Sequence, residues 1–211
     1  MKSGYWKLGT WNNFPILVHW TILLWLPWYW IQNGSLAWAL ITFLAYAVLL
    51  LAHELGHAYA ARSRRLRVYG IRLYVMHGLC EFQSPFHARD HIFIAWGGVL
   101  AQMCVLVVAL AAQYAVSVFL PDAEYLLAPL FYVFIKANLV IAAFNLIPVA
   151  PLDGHIAWQG VPPLWDKLRA RFKFKNRIRS QGNVVDLGAR REAARKSRLT
   201  TAELLDKLRK K

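Results

Sequence analysis

Cysteine is scarce. The 211-residue chain has two, Cys80 and Cys104, which excludes a disulfide-built fold. Acidic residues are also few, 11 Asp and Glu against 25 Lys and Arg, for a formal net charge of +14. No cleavable signal peptide is expected, because the first apolar run is rich in tryptophan and lacks a small-residue cleavage site. Missing too is the polar content of an ordinary soluble domain: hydrophobic residues make up 58% of the chain, with ten tryptophans. A chain both this apolar and this basic must segregate the two characters, and it does. Sixteen of the Lys and Arg follow Asp153, and six more lie between Arg62 and Arg89. Beside long apolar runs, such a basic excess points to the anionic face of a bilayer, and nucleic acid is not expected as a partner.

The apolar residues fall into four runs of spanning length, at about 14–31, 36–61, 93–120 and 126–147. Pro27 marks the end of the first, the Gln32–Ser35 turn separates it from the second, and Pro148 and Pro151 break the fourth. Residues 1–13 read as an interfacial lead-in. Between the second and third runs, Leu66–Phe82 carries strand formers and a glycine turn, and reads as a short interfacial hairpin. The expected fold is therefore an all-α polytopic membrane domain over 1–155 with about four transmembrane helices and that hairpin. A basic tail over 156–211 follows, with a capping box at Thr200 and Glu203 opening a short amphipathic helix. By the positive-inside rule both termini and the Arg62–Arg89 loop face the cytoplasm.

Chemistry enters at His53-Glu54-Leu55-Gly56-His57, inside the second run. Histidines four residues apart share one helix face and can reach one metal ion, with the intervening glutamate beside a bound water as general base. Such residues are costly in a span unless they act. A catalytic zinc wants a third protein ligand, and Asp153 stands out. It follows the prolines that end the fourth run, at the same cytoplasmic depth as His57 because both runs head that way. Gly154 beside it is expected to let the backbone pass close to the metal. His19 reads as a hydrogen-bonded interior histidine, and His87 with His91 as an interfacial patch. His77 is a candidate gating or substrate contact, and Lys136, inside the fourth run, is expected either to pair with a polar group such as Gln102 or to snorkel to the interface.

The HELGH stretch within a span and Asn145-Leu-Ile-Pro-Val-Ala-Pro-Leu-Asp-Gly154 some 90 residues later together resemble the site-2 protease family of intramembrane zinc metalloproteases, with a weaker match at Gly97-Gly98. The resemblance covers about Leu36 to His155 and is that of a minimal member, without a PDZ insert or a nucleotide-binding regulatory domain. It implies one zinc ion per chain held by His53, His57 and Asp153, with Glu54 as catalytic base and Asn145 contacting the substrate backbone. It further implies hydrolysis of peptide bonds in or near transmembrane segments of membrane-protein substrates by zinc-activated water. His155 stands where the family often has glycine. The competing reading is an inactive zinc-binding scaffold that captures substrate helices, for which an intact base would be superfluous. The expected location is a prokaryotic cell membrane, crossed several times, with anionic lipids at the basic loop and tail.

Overall fold

The structure is a computed structural model that describes residues 4–161 and 191–197. Through Gly160 the chain forms one compact unit. Residues 191–197 are helical and exposed, and the terminal helix expected after Thr200 lies outside the described residues.

Two long helices dominate the compact unit: α2, Leu36–Ser63, and α3, Ala88–Phe119. A third helical segment runs from α4, Glu124–Phe131, through a π-helical turn at Tyr132–Ala137 into α5, Asn138–Asn145. With mean hydropathies of 2.1, 2.3 and 2.0, the segments Leu36–Ser63, Ala88–Phe119 and Pro121–Asn145 are long and apolar enough to cross a membrane. At 28 residues α2 extends about 42 Å, longer than a bilayer core of about 30 Å. Its outward residues Leu40, Leu44 and Val48 recur every fourth position and are exposed, as a lipid-facing stripe would be.

The first expected span is not a continuous helix. Phe14–His19 is strand β2, Trp20–Leu24 a 3-10 turn, and only Trp25–Asn33 forms a helix, α1. The lead-in likewise contains a strand, β1, Tyr5–Trp11. Asn12 and Asn13, both at positive φ (46° and 69°), form the two-residue turn joining β1 to β2. That conformation suits the twist of a hairpin, and asparagine tolerates it better than most residues. The expected hairpin over Leu66–Phe82 is present as β3, Val68–Leu73, and β4, Gly78–Phe82. β2 pairs with β3 in parallel, Ile16 opposite Ile71, giving a four-stranded sheet in the order β1-β2-β3-β4. The fold is thus helical with a small sheet rather than all-α.

The run of this segment alongside α2 survives in another conformation. Arg62, at the far end of α2, donates to the Asn12 carbonyl at 3.0 Å, and Trp25 and Tyr29 pack on Tyr46 in the middle of α2. Residues 12–33 therefore retrace α2 in reverse. A strand rises about 3.3 Å per residue against 1.5 Å in a helix, so six strand residues supply the length of a longer helical piece.

Glycines set how closely α2 and α3 approach. A methyl group on Gly56 would come within 2.3 Å of the Gly97 carbonyl oxygen, and one on Gly97 within 2.6 Å of that of Gly56. The helices cross backbone to backbone, as small residues permit in membranes.

Candidate metal centre

The close crossing places His53 and His57, both buried on α2, against the start of α3. Each ring is held through Nδ1. That of His57 donates to the Ile94 carbonyl at 2.8 Å, and that of His53 to Gln102 Oε1 at 3.0 Å. Both partners accept, so Nδ1 carries the proton and each neutral ring presents the Nε2 lone pair on its other side. The two Nε2 atoms lie 3.1 Å apart, and Asp153 Oδ2 lies 3.0 Å and 3.2 Å from them.

Three acceptors turned on one point with no donor between them repel unless a cation sits there. Their spacing approaches the edge of about 3.3 Å in a tetrahedron with metal–ligand bonds of about 2.0 Å. The donor set therefore fits a metal ion. Among the described residues this is the one group of three His, Cys, Asp or Glu side chains that converges in this way.

Asp153 reaches the histidines because α5 ends at Asn145 and the proline-containing turn brings the chain back into the short helix α6, Gly154–Ala157. Gly154 has a different reason from the one expected. A methyl group there would lie 2.4 Å from the Leu146 backbone, so the glycine tightens that turn rather than clearing room for a metal. Room at the metal comes from Gly98, where a methyl group would lie 2.5 Å from both His53 Cε1 and His57 Nε2. Asn145 also arrives, its Nδ2 lying 3.5 Å from His53 Nε2.

Glu54, 4% exposed, points toward the sheet. A methyl group on Gly78, the first residue of β4, would fall 2.2 Å from Glu54 Oε1, so β4 walls the carboxylate. The loop before β4 is pinned in turn, because the Val75 carbonyl accepts from Trp25 Nε1 and from Tyr46 Oη. Cys80 in β4 is no competing ligand: burial first, then Glu54 and Glu81, push its thiol up to about 12. We expect Gly78→Ala to fold and to retain metal but to lose activity, about tenfold or more, by displacing the Glu54 carboxylate. Metal analysis beside an activity assay checks this.

The remaining sequence candidates lie apart. His155 and His77 are exposed, the latter stacked on Tyr74, and His87 and His91 sit at the start of α3. His19 is the hydrogen-bonded histidine expected, its Nδ1 2.9 Å from Thr21 Oγ1. Lys136 is exposed on the π-helical turn, with no ion pair among the described residues.

Gln102 has a partner that its place in the sequence does not reveal. It is fully buried at 0% exposure and orients His53, while Asn138 Nδ2 donates to the Gln102 carbonyl at 2.9 Å and to that of Phe134 at 3.1 Å. A lone amide one helical turn after Gly98 was the available signal. Gln102→Leu is expected to weaken metal binding by roughly 10- to 100-fold without unfolding the protein, as competition with a metallochromic chelator would measure.

Comparison with known proteins points to zinc metalloproteases. No family profile matches the chain. A zinc metalloprotease of Methanocaldococcus jannaschii is 32% identical over 146 residues, spanning 67% of this chain and 41% of that protein. Rip3 of Mycobacterium tuberculosis is 29% identical over 171 residues, 70% of this chain and 41% of its own length. The chain thus spans about two fifths of these relatives. The solved structure of the site-2 protease from Methanocaldococcus jannaschii superposes with a TM-score of 0.58 at 27% identity, covering 74% of this chain and 71% of that one.

The chain belongs to the site-2 protease family. Within this family member, the paired histidines of α2 and the aspartate beyond α5 form the candidate centre, with the sheet edge against Glu54.

Proposed function

We propose that the protein is an intramembrane zinc metalloprotease that hydrolyses peptide bonds in or near transmembrane segments of other membrane proteins. The observation that carries this reading is the convergence of His53 Nε2, His57 Nε2 and Asp153 Oδ2 beside a buried glutamate, on helices apolar enough to span a membrane. Zinc fits two imidazoles and one carboxylate, a donor set that leaves a fourth position open for catalysis. When bound, zinc supplies the Lewis acidity that activates water near neutral pH and polarises a carbonyl.

The chain's own residues do the rest. Glu54, held against β4, takes the proton of the attacking water and returns it to the amine that leaves the broken peptide bond. Asn145, whose Nδ2 lies 3.5 Å from His53 Nε2, donates to the substrate backbone. Gln102 and the Ile94 carbonyl keep both imidazoles turned inward. A helical substrate shields its own peptide bonds and must unwind before cleavage. β4 is an edge strand whose first residue, Gly78, lies against Glu54, so an extended substrate segment can pair along it and be delivered to the base.

Charge orients the protein. The Arg62–Arg89 loop and the basic tail face the cytoplasm, and three helical spans plus the crossing by residues 12–33 put the β1–β2 turn and the tail on that side of a prokaryotic cell membrane. Anionic lipids accompany the basic loop and tail. The test is cleavage of a reconstituted single-span substrate. Incubation with a strong chelator should abolish cleavage and stoichiometric zinc should restore it. Full activity in the metal-stripped protein would refute the proposal.

A further inference from the structure

At the end of α2 farthest from Leu36, three separate segments enclose a surface cavity of about 460 Å³. The β1–β2 turn contributes Asn12 and Asn13, the end of α2 and the link to β3 contribute Arg62, Arg65 and Arg67, and the residue after β4 contributes Gln83, all above an apolar floor. No carboxylate lines it. The arginines that have acidic partners are elsewhere: Arg64 pairs with Asp90 and Arg72 with Glu81. Among the described residues, Arg62, Arg65 and Arg67 have no ion pair.

Three arginines line one concave site without a counter-charge, Arg67 with its guanidinium also 5.9 Å over the Tyr69 ring, and repulsion within such a cluster is relieved by a bound anion. Guanidinium forks and amide donors are the groups that match phosphate oxygens. The rim is also braced, because Arg62 donates across the cavity mouth to the Asn12 carbonyl at 3.0 Å, and the Gln83 N–H donates to the Arg67 carbonyl at 2.8 Å. The negative end of the α2 dipole would oppose an anion, but the Ala61 and Arg62 carbonyls are already capped by the backbone N–H groups of Arg64, Arg65 and Leu66.

Position selects the source of the phosphate. The cavity sits just past the end of a spanning helix, and β1 beside it exposes Trp6, Leu8 and Trp11. Apolar and indole side chains next to arginines are the pattern of the membrane–water interface. We propose that this cavity binds the phosphate group of an anionic membrane lipid. The site is separate from the metal centre and does not depend on the proposed reaction.

The test is native mass spectrometry of the full chain released from mixed micelles containing phosphatidylglycerol or phosphatidylcholine. The wild type should retain phosphatidylglycerol in preference to phosphatidylcholine. Retention should fall about tenfold or more in the exposed double variant Arg65→Gln/Arg67→Gln, and by less than about twofold in Arg64→Gln/Arg89→Gln, which removes equal charge outside the cavity. Equal losses in the two variants, or equal retention of the two lipids by the wild type, would overturn the proposal. In a second arm the wild type is heated with and without inorganic phosphate. Stabilisation by phosphate that the Arg65→Gln/Arg67→Gln variant lacks, in a protein that retains no phosphatidylglycerol, would make the ligand a soluble phosphate and overturn the lipid assignment.

Discussion

Asp153→Ala should lose its metal. The three donors come from two distant stretches of chain, and the aspartate is the sole contribution of the second, 96 positions beyond His57. Structural zinc sites with four ligands are worth about 10–16 kcal/mol, so removing one anionic ligand is expected to weaken binding by at least about a hundredfold. The loss should be more than proportional, because the imidazoles would then face each other 3.1 Å apart with no carboxylate to complete the site. Asp153 is partly exposed at the end of the proline turn, so the variant should still fold. Metal content measured after purification, together with the thermal transition in detergent, separates loss of ligand from loss of structure.

Glu54→Gln should have the opposite signature: metal retained, cleavage lost. Glutamine preserves the shape of a side chain that packs against Gly78 at 4% exposure, and Glu54 is not among the three converging donors. What it removes is the ability to take and return a proton, a contribution of about 10²- to 10⁴-fold in general acid–base catalysis. Paired measurement of zinc content and of turnover on a reconstituted transmembrane substrate gives the result. An inactive scaffold would show the same low turnover in both proteins. Equal, substantial cleavage by both would remove Glu54 from the role of base.

Much of this arrangement is legible in the residues. Apolar length marked α2, α3 and the helical segment that ends at Asn145, and the four-residue histidine spacing marked the metal-facing side of α2. Two prolines and the change of composition after them marked the turn that carries Asp153. The first apolar run is a strand and a short helix for a physical reason that its composition hides. Phe14 to Ile31 is apolar apart from His19 and Thr21, and with nearly every position apolar a strand and a helix show little difference in periodicity. What decides for a strand at Phe14–His19 is pairing with β3 some 50 residues later, a non-local partner that local pattern does not reveal. The Asn12-Asn13 pair was the one local hint, since a two-residue asparagine turn favours a hairpin.

The glycines were legible as close contacts but not as to what they contact. Gly97 meets Gly56, Gly98 meets the two histidines, Gly78 meets Glu54 and Gly154 meets Leu146. Each assignment depends on which helix face or strand end arrives opposite, which only the assembled fold specifies. Gln102 belongs to the same class: its polarity within a span was visible, and its partner His53 was not.

The central claim is that the helix carrying His53 and His57 shares one metal ion with the turn carrying Asp153. X-ray absorption at the zinc edge of the purified full-length protein tests this most directly. The account predicts one zinc per chain, with nitrogen and oxygen donors at about 2.0–2.2 Å and the multiple-scattering signature of two imidazoles. Sulfur donors at about 2.3 Å, or an unchanged spectrum in Asp153→Ala, would contradict it.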